Sequence, residues 1–318
     1  MQQNILISSA GKRVELLLEF QRELKQIHGA VFAVDSNPEM SPACRVADKS
    51  YSVAKVNFPE YIEQLLEICK ANDVRLVIPT IDTELLILAQ NRSLFSDCGI
   101  EIMVSEADFI ATCRDKRKTM SLFDKLGIRN PNPRDKYNPQ FPLFAKPYDG
   151  SLSKNIHILR SQEELTEEIL NDPKLMFMEY IDKNEYKEFT VDMYYGSDHY
   201  VKAIVPRERL EIRSGEVNKG IARKNYLVQY LKSCMDYMPG VRGCICIQLF
   251  YRESDNDVVG IEINPRFGGG YPLSYYAGAN FPIWMIDEYI RGKSLNYTDE
   301  WQDNTIMLRY DSQVVVHG

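Results

Sequence analysis

Four short apolar runs constrain the first third of this 318-residue chain more than any other feature. They are NILISSA from Asn4, AVFAVDS from Ala30, VRLVIPT from Val74 and IEIMVS from Ile100. Between them lie GKRVELLLEFQRELKQ, VNFPEYIEQLLEICKAN and TELLILAQNRSLFSDC, whose apolar residues recur at helical spacing. A strand that is apolar throughout must be covered on both faces, and sequential parallel strands need a helical crossover. Residues 1 to about 110 are therefore expected to form a small doubly wound α/β domain. SSAGKR follows the first strand and opens a helix, a place where an anion can bind. It lacks GxGxxG, so no dinucleotide site is assigned to it.

The pattern then changes. ATCRDKRKTMSLFDKLGI reads as one helix that stops at Gly127, and RNPNPRDKYNPQFP carries four prolines that mark a change of subdomain. PLFAKPYD and NIHIL, with a Gly/Ser turn between them, read as an antiparallel strand pair. SQEELTEEILND predicts a helix capped by Ser161, with Glu164 three residues later. MFMEYI, KEFTVDMYY and HYVKAIV are strands, and VNKGIARKNYLVQYLKSCMDYM is expected to be mostly helix. CICIQLFY and VVGIEIN form a hairpin across the polar turn RESDND. Strands clustered with helices to one side indicate an α+β body.

The net charge of −7 argues against a sequence-independent nucleic-acid binder, but not against a nucleotide ligand. Seven cysteines occur without a CxxC spacing, which fits reduced thiols in a cytoplasmic protein. MQQNILISSAGKR is too short an apolar run for a signal peptide, and no window approaches the roughly 18 apolar residues of a membrane span. The four histidines, at 28, 157, 199 and 317, sit in no motif.

The hairpin ends in GIEINPRFGGG, Gly260 to Gly270. On a strand, Glu262, Asn264 and Arg266 project from one face, and Gln248 on the partner strand can lie beside Glu262. Carboxylate and amide oxygens are hard ligands that suit Mg²⁺ (or Mn²⁺) and not zinc. Arg266 adds a forked cation for a phosphoryl oxygen. The glycines would let backbone N–H groups approach a ligand. A half-exposed polar hairpin face explains the same alternation more plainly. In FAKPYDGSLSKN, Lys146, Gly150, Ser151 and Ser153 can wrap polyphosphate oxygens, although a plain hairpin turn accounts for them equally well. Lys116, in RDKRKT, is either a further phosphate cation or a solvated surface charge.

RDKRKTMSLFDKLGI, FAKPYDGSLSKN, FMEYIDKNEYKEFTVD and CIQLF…GIEINPRFGGG, in that order, resemble the ATP-grasp superfamily. The chain is most similar to the ligase half of the carbamoyl-phosphate-synthetase large subunit and its free-standing relatives. The resemblance implies a Rossmann-like pre-ATP-grasp domain over 1–112 and a two-subdomain ATP-grasp domain over 113–318, with a small lid at about 117–183. By the same resemblance, Lys116 and Lys146 hold ATP phosphates under the loop Gly150 to Ser153. Glu179, Tyr180 and Ile181 form the hinge that reads adenine, and Glu188, with Glu185 as its rival, holds the ribose. Gln248, Glu262 and Asn264 bind Mg²⁺, while Arg266 with Asn264 stabilises the transferring phosphoryl group. Many relatives carry an acidic residue where Gln248 stands, and the carbamoyl-phosphate-synthetase branch resembles this chain in using Gln.

The implied activity is that of an ADP-forming ligase, in which ATP converts a carboxylate into an acyl phosphate for attack by an amine or similar nucleophile. Two rivals share the site: a phosphotransferase acting on a hydroxyl or small acid, and a nucleotide-binding protein without turnover. Arg207 and Arg213, with Arg209 and Lys219 in VPRERLEIRSGEVNKG, are candidates for recognising an acidic substrate from a mobile loop, or else members of a solvated charged hairpin. Expected partners are small-molecule carboxylates and amines, with no nucleic acid and no membrane. A homodimer is the expected association, since dimers are the commonest assembly of soluble enzymes.

Overall fold

A computed structural model describes residues 3–150, 155–213 and 215–316. The apolar runs become the strands of a parallel sheet. In chain order its elements are β1 (Asn4–Ser8), α1 (Val14–Leu24), β2 (Val31–Asp35), α2 (Pro42–Val46), β3 (Lys49–Ser52), α3 (Tyr61–Ala71), β4 (Val74–Pro79), α4 (Asp82–Gln90), α5 (Arg92–Ser96) and β5 (Glu101–Ile102). The strand order is β3-β2-β1-β4-β5, all parallel. β3, KSYS, went unread because it is an edge strand with no fully buried residue, so it has no apolar run to show. IEIMVS shrinks to the two residues of β5.

The expected long helix at the domain boundary is two helices, α6 (Ala107–Arg114) and α7 (Lys116–Lys125). Asp115 breaks it: its backbone is extended, and its carboxylate accepts from the Arg117 N–H at 2.9 Å, capping α7. Lys116 thereby becomes the first residue of a helix. Gly127, at φ +70°, closes α7 in the left-handed conformation that a helix stop favours.

Two antiparallel sheets follow. β6 (Leu143–Pro147), β7 (His157–Leu159) and β8 (Leu175–Glu179) form a three-stranded sheet ordered β7-β6-β8, and α8 (Glu167–Asn171) lies between β7 and β8 in the chain. The helix predicted from Ser161 is divided into a 3₁₀ turn, Gln162–Glu164, and the short α8, because Ser161 makes no capping bond while Thr166 accepts from Ile169 N–H and starts α8 later. Leu143, Leu159 and Phe177 give this lid its own small core.

The large sheet runs β13-β12-β9-β10-β11-β14. It comprises β9 (Lys187–Tyr195), β10 (Val201–Arg213), β11 (Glu216–Ala222), β12 (Gly243–Arg252), β13 (Asp257–Asn264) and β14 (Ile306–Leu308). VNKGIA, expected to be helical, forms β11, because β10 offers it a partner from Arg207 to Arg213. The helix there, α9 (Tyr226–Met235), begins only where Asn225 caps it. Two short helices, α10 (Pro272–Tyr276) and α11 (Phe281–Met285), follow the glycines.

The parallel sheet and the large sheet share one core. Phe20 of α1 packs edge-on against Phe267 with ring centroids 6.0 Å apart, beside Tyr271 and Phe281. The opposite face of the parallel sheet keeps a separate core around Leu65, Leu85 and Phe95. Among the described residues, no helix is long and apolar enough to cross a membrane.

Candidate active site

The β12–β13 hairpin sets Gln248 directly opposite Glu262 and Cys246 opposite Asn264. Alternation along β13 buries Ile263 and Pro265 and turns Glu262, Asn264 and Arg266 to the other side. That side lines a cleft of about 1060 Å³ between the parallel sheet, the lid and the large sheet. Asn264 Nδ2 donates to Glu262 Oε1 at 3.1 Å. With the Gln248 amide turned to satisfy both neighbours, its nitrogen donates to Glu262 Oε1 at 2.9 Å and its oxygen accepts from Arg209 Nη1 at 2.5 Å.

Lys116 Nζ lies 3.7 Å from Glu262 Oε2 and donates to the Gly150 carbonyl at 2.5 Å. The helix break at Asp115 and the strand β6 therefore deliver Lys116 and Lys146 to one place. Lys146 is only 7% exposed. Burial pulls its ammonium down to about 8; the nearby Glu262 carboxylate opposes this and Lys116 adds to it. A cation kept in a desolvated wall is suited to a polyanion. Ser151 and Ser153 lie outside the described residues.

Here the amide nitrogens of Asn264 and Gln248 face the Glu262 carboxylate, and rotation of the two amides would bring their oxygens beside it, the hard-donor set that a divalent ion takes from a protein when phosphates supply its other ligands. The described residues hold no group of three or more His, Cys, Asp and Glu side chains placed to bind a metal, so this amide-rich set is the candidate.

At the hinge, Glu179 lines the cleft, but its side chain is engaged elsewhere. The Glu179 carboxylate is occupied by Arg129 and by the Asn132 backbone and side-chain nitrogens, at 3.1 and 2.7 Å, so it holds the proline-rich connector to β8. Tyr180 and Ile181 line the cleft, and Ile181 belongs to a small apolar cluster with Val259, Phe250 and Ile261. Glu188 also lines the cleft and accepts from Arg209 Nη1 at 2.7 Å, with Lys183 at 3.3 Å. Glu185 pairs instead with Arg252 at 3.0 Å outside the cleft, which favours Glu188 of the two.

Both candidate substrate arginines are corrected. Arg207 is 1% exposed and makes a two-pronged ion pair with Asp192, 2.6 and 2.8 Å, under the glycines. Arg213 sits at the exposed tip of the β10–β11 hairpin, paired with Asp311 at 2.9 Å. The mobile loop expected there is a β-hairpin. Arg209, grouped with them in the sequence, lines the cleft and bridges Glu188 and Gln248.

The glycines line the cleft, as expected of backbone near a ligand, and packing gives a second reason for them. A Cβ at Gly270 would overlap the Arg207 guanidinium and lie 2.5 Å from Val217, and one at Gly269 would lie 2.9 Å from Arg13 Nη1. They make room for the protein's own side chains.

Two residues of the parallel-sheet domain enter the site unannounced. Asp82, first residue of α4, accepts from Arg266 Nη2 at 2.8 Å. Arg13 lines the cleft beside Gly269. Backbone N–H groups of Ala10, Gly11 and Arg13 are consumed by Val34, Asp35 and Ala10 respectively, so the SSAGKR loop offers that side chain rather than a backbone anion nest. Its GKR carried a visible signal, but only the fold shows which cation points inward.

Residues 5–103 match the family described as PylC-like, N-terminal domain, and residues 171–310 the family described as ATP-grasp in the biosynthetic pathway with Ter operon. No curated protein matches the chain. Among solved structures, the biotin carboxylase domain of Hydrogenobacter thermophilus 2-oxoglutarate carboxylase, in complex with MgADP, ADP and bicarbonate, superposes with TM-score 0.73 at 16% identity. That match covers 96% of this chain and 73% of that one. N5-carboxyaminoimidazole synthetase from Staphylococcus aureus, complexed with ADP, superposes with TM-score 0.71 at 17% identity, covering 97% and 81%. At these identities the likeness is one of fold.

Proposed function

We propose that this chain, an ATP-grasp protein with a PylC-like N-terminal domain, is an ADP-forming ligase that joins a carboxylate to an amine or a similar nucleophile. The observation that carries the reading is the continuous line of groups from Lys116 and Lys146 through Glu262 and Asn264 to Arg266 in one cleft. ATP would lie with its base against Tyr180 and Ile181, its ribose at Glu188 and its phosphates between the two lysines. Glu262, Asn264 and Gln248 would hold Mg²⁺, which neutralises phosphate charge when bound.

Arg266, anchored by Asp82, stabilises charge on the phosphoryl group as it moves in line from ADP to a carboxylate oxygen of the acid. An amine then attacks the carbonyl carbon of the acyl phosphate, inorganic phosphate leaves, and the nitrogen gives up a proton. Positioning and electrostatics suffice for both steps.

The test is trapping with hydroxylamine across a panel of acids. A hydroxamate and stoichiometric ADP are expected, and Glu262→Ala should lower turnover by about 100-fold or more. ADP formed with a phosphorylated product and no hydroxamate marks a phosphotransferase, and AMP with pyrophosphate refutes the ligase.

A further inference from the structure

The cleft continues past Arg266 into a region that ATP does not account for. Arg266 Nε is buried with no hydrogen-bond partner, although its Nη2 is held by Asp82. Arg13 stands next to it, and its guanidinium makes no hydrogen bond or ion pair among the described residues. Lys12 and Arg309 both pair with Glu216, at 3.3 and 3.1 Å, so Arg13 shares the attraction of that carboxylate with two cations already bound to it. Lys12, Arg13, Arg266 and Arg309 thus face three carboxylates, Asp82, Glu216 and Glu262, which leaves one positive charge in excess. Burial lowers the Arg13 pKa first of all, Arg266 lowers it further, and Glu216 opposes them. Two neighbouring guanidiniums in a desolvated wall are costly unless an anion joins them.

The backbone leading to Arg13 is tied down by side-chain hydrogen bonds. Thr80 Oγ1 donates to the Ser8 and Ser9 carbonyls at 3.1 and 2.7 Å, and Ser9 Oγ donates to the buried Glu84 at 2.9 Å, which fixes the loop before Arg13. A Cβ at Gly269 would lie 2.9 Å from Arg13 Nη1, so the glycine leaves room for the guanidinium where it stands.

We propose that Arg13 and Arg266 together recognise the acid substrate, and that this acid carries a second anionic group. The reacting carboxylate lies at Arg266, and the second anion is held by Arg13 of the N-terminal domain. This rests on the ligase reading for the role of the site, but the binding chemistry is testable without turnover.

Isothermal titration of the full chain with glutarate and succinate, against butyrate and propionate, decides it. The dicarboxylates are expected to bind at least about tenfold more tightly than the monocarboxylates. Arg13→Gln should erase that preference and leave MgADP affinity unchanged, which also reports that the variant is folded. Equal binding of both series, no dicarboxylate binding, or a preference that survives Arg13→Gln overturns the proposal. So does lost MgADP affinity in that variant, which would assign Arg13 to the nucleotide. Failure of MgADP to bind the unaltered protein counts against the ligase reading alone, because the carboxylate titrations are repeated without nucleotide.

Discussion

Lys146 shows how one side chain's environment sets a measurable property of the site. Burial lowers its pKa to about 8, with Glu262 opposing and Lys116 reinforcing the change. In the nucleotide-free protein the amine therefore loses its proton as pH rises through 8, whereas a bound polyphosphate restores the charge. Binding above pH 8 then takes up a proton, and affinity for ADP should fall by up to about tenfold per pH unit there. Titrations on either side of pH 8, in buffers of different ionisation enthalpy, measure both effects. Lys146→Met should weaken binding and flatten the profile. The position of this lysine beside a glycine turn was legible, but its burial was not, because β6 acquires a covered face only when the lid folds.

At the scale of elements, the GGG segment joins a cleft-lining strand to a buried ion pair. Gly270 lies against the Arg207–Asp192 pair, and Asp192 also accepts from Ser274 Oγ at 2.6 Å. Gly270→Ala must displace the guanidinium or the loop, and is expected to cost about 1–3 kcal/mol through overpacking. A lower urea midpoint with an unchanged slope would register it. A stable Gly270→Ala protein would mean that the segment yields freely. The register of β12 against β13 was readable from alternation, which is why Gln248 and Glu262 were paired correctly. The hairpin β10–β11 was not, because VNKGIA has weak strand character and becomes a strand only through its neighbour.

On the scale of the whole molecule, α1 belongs to two domains at once. Phe20 is fully buried and meets Phe267, which follows the site's arginine by one residue. Phe20→Ala should cost about 3–5 kcal/mol. Because the core is shared, chemical denaturation should lower the stability of the parallel sheet and the large sheet together in one transition. Fluorescence and far-ultraviolet dichroism that separate into two transitions would show instead that the domains unfold independently. This packing also makes the Asp82–Arg266 contact and the entry of Arg13 into the cleft depend on the domain interface.

Local order was the sequence's to determine. Apolar runs separated by helical periodicity specified the parallel sheet, and alternation in GIEINPR specified a common face for Glu262, Asn264 and Arg266, since both follow from backbone geometry alone. Which arginine is free was decided by tertiary structure. Arg13, Arg207, Arg209 and Arg213 are chemically the same residue, and only the carboxylates packed around them separate the three that form ion pairs, with Asp192, Glu188 and Asp311, from Arg13, which forms none among the described residues. Those carboxylates lie far from their partners along the chain or on neighbouring strands, so their pairing is fixed by packing, which no local pattern encodes.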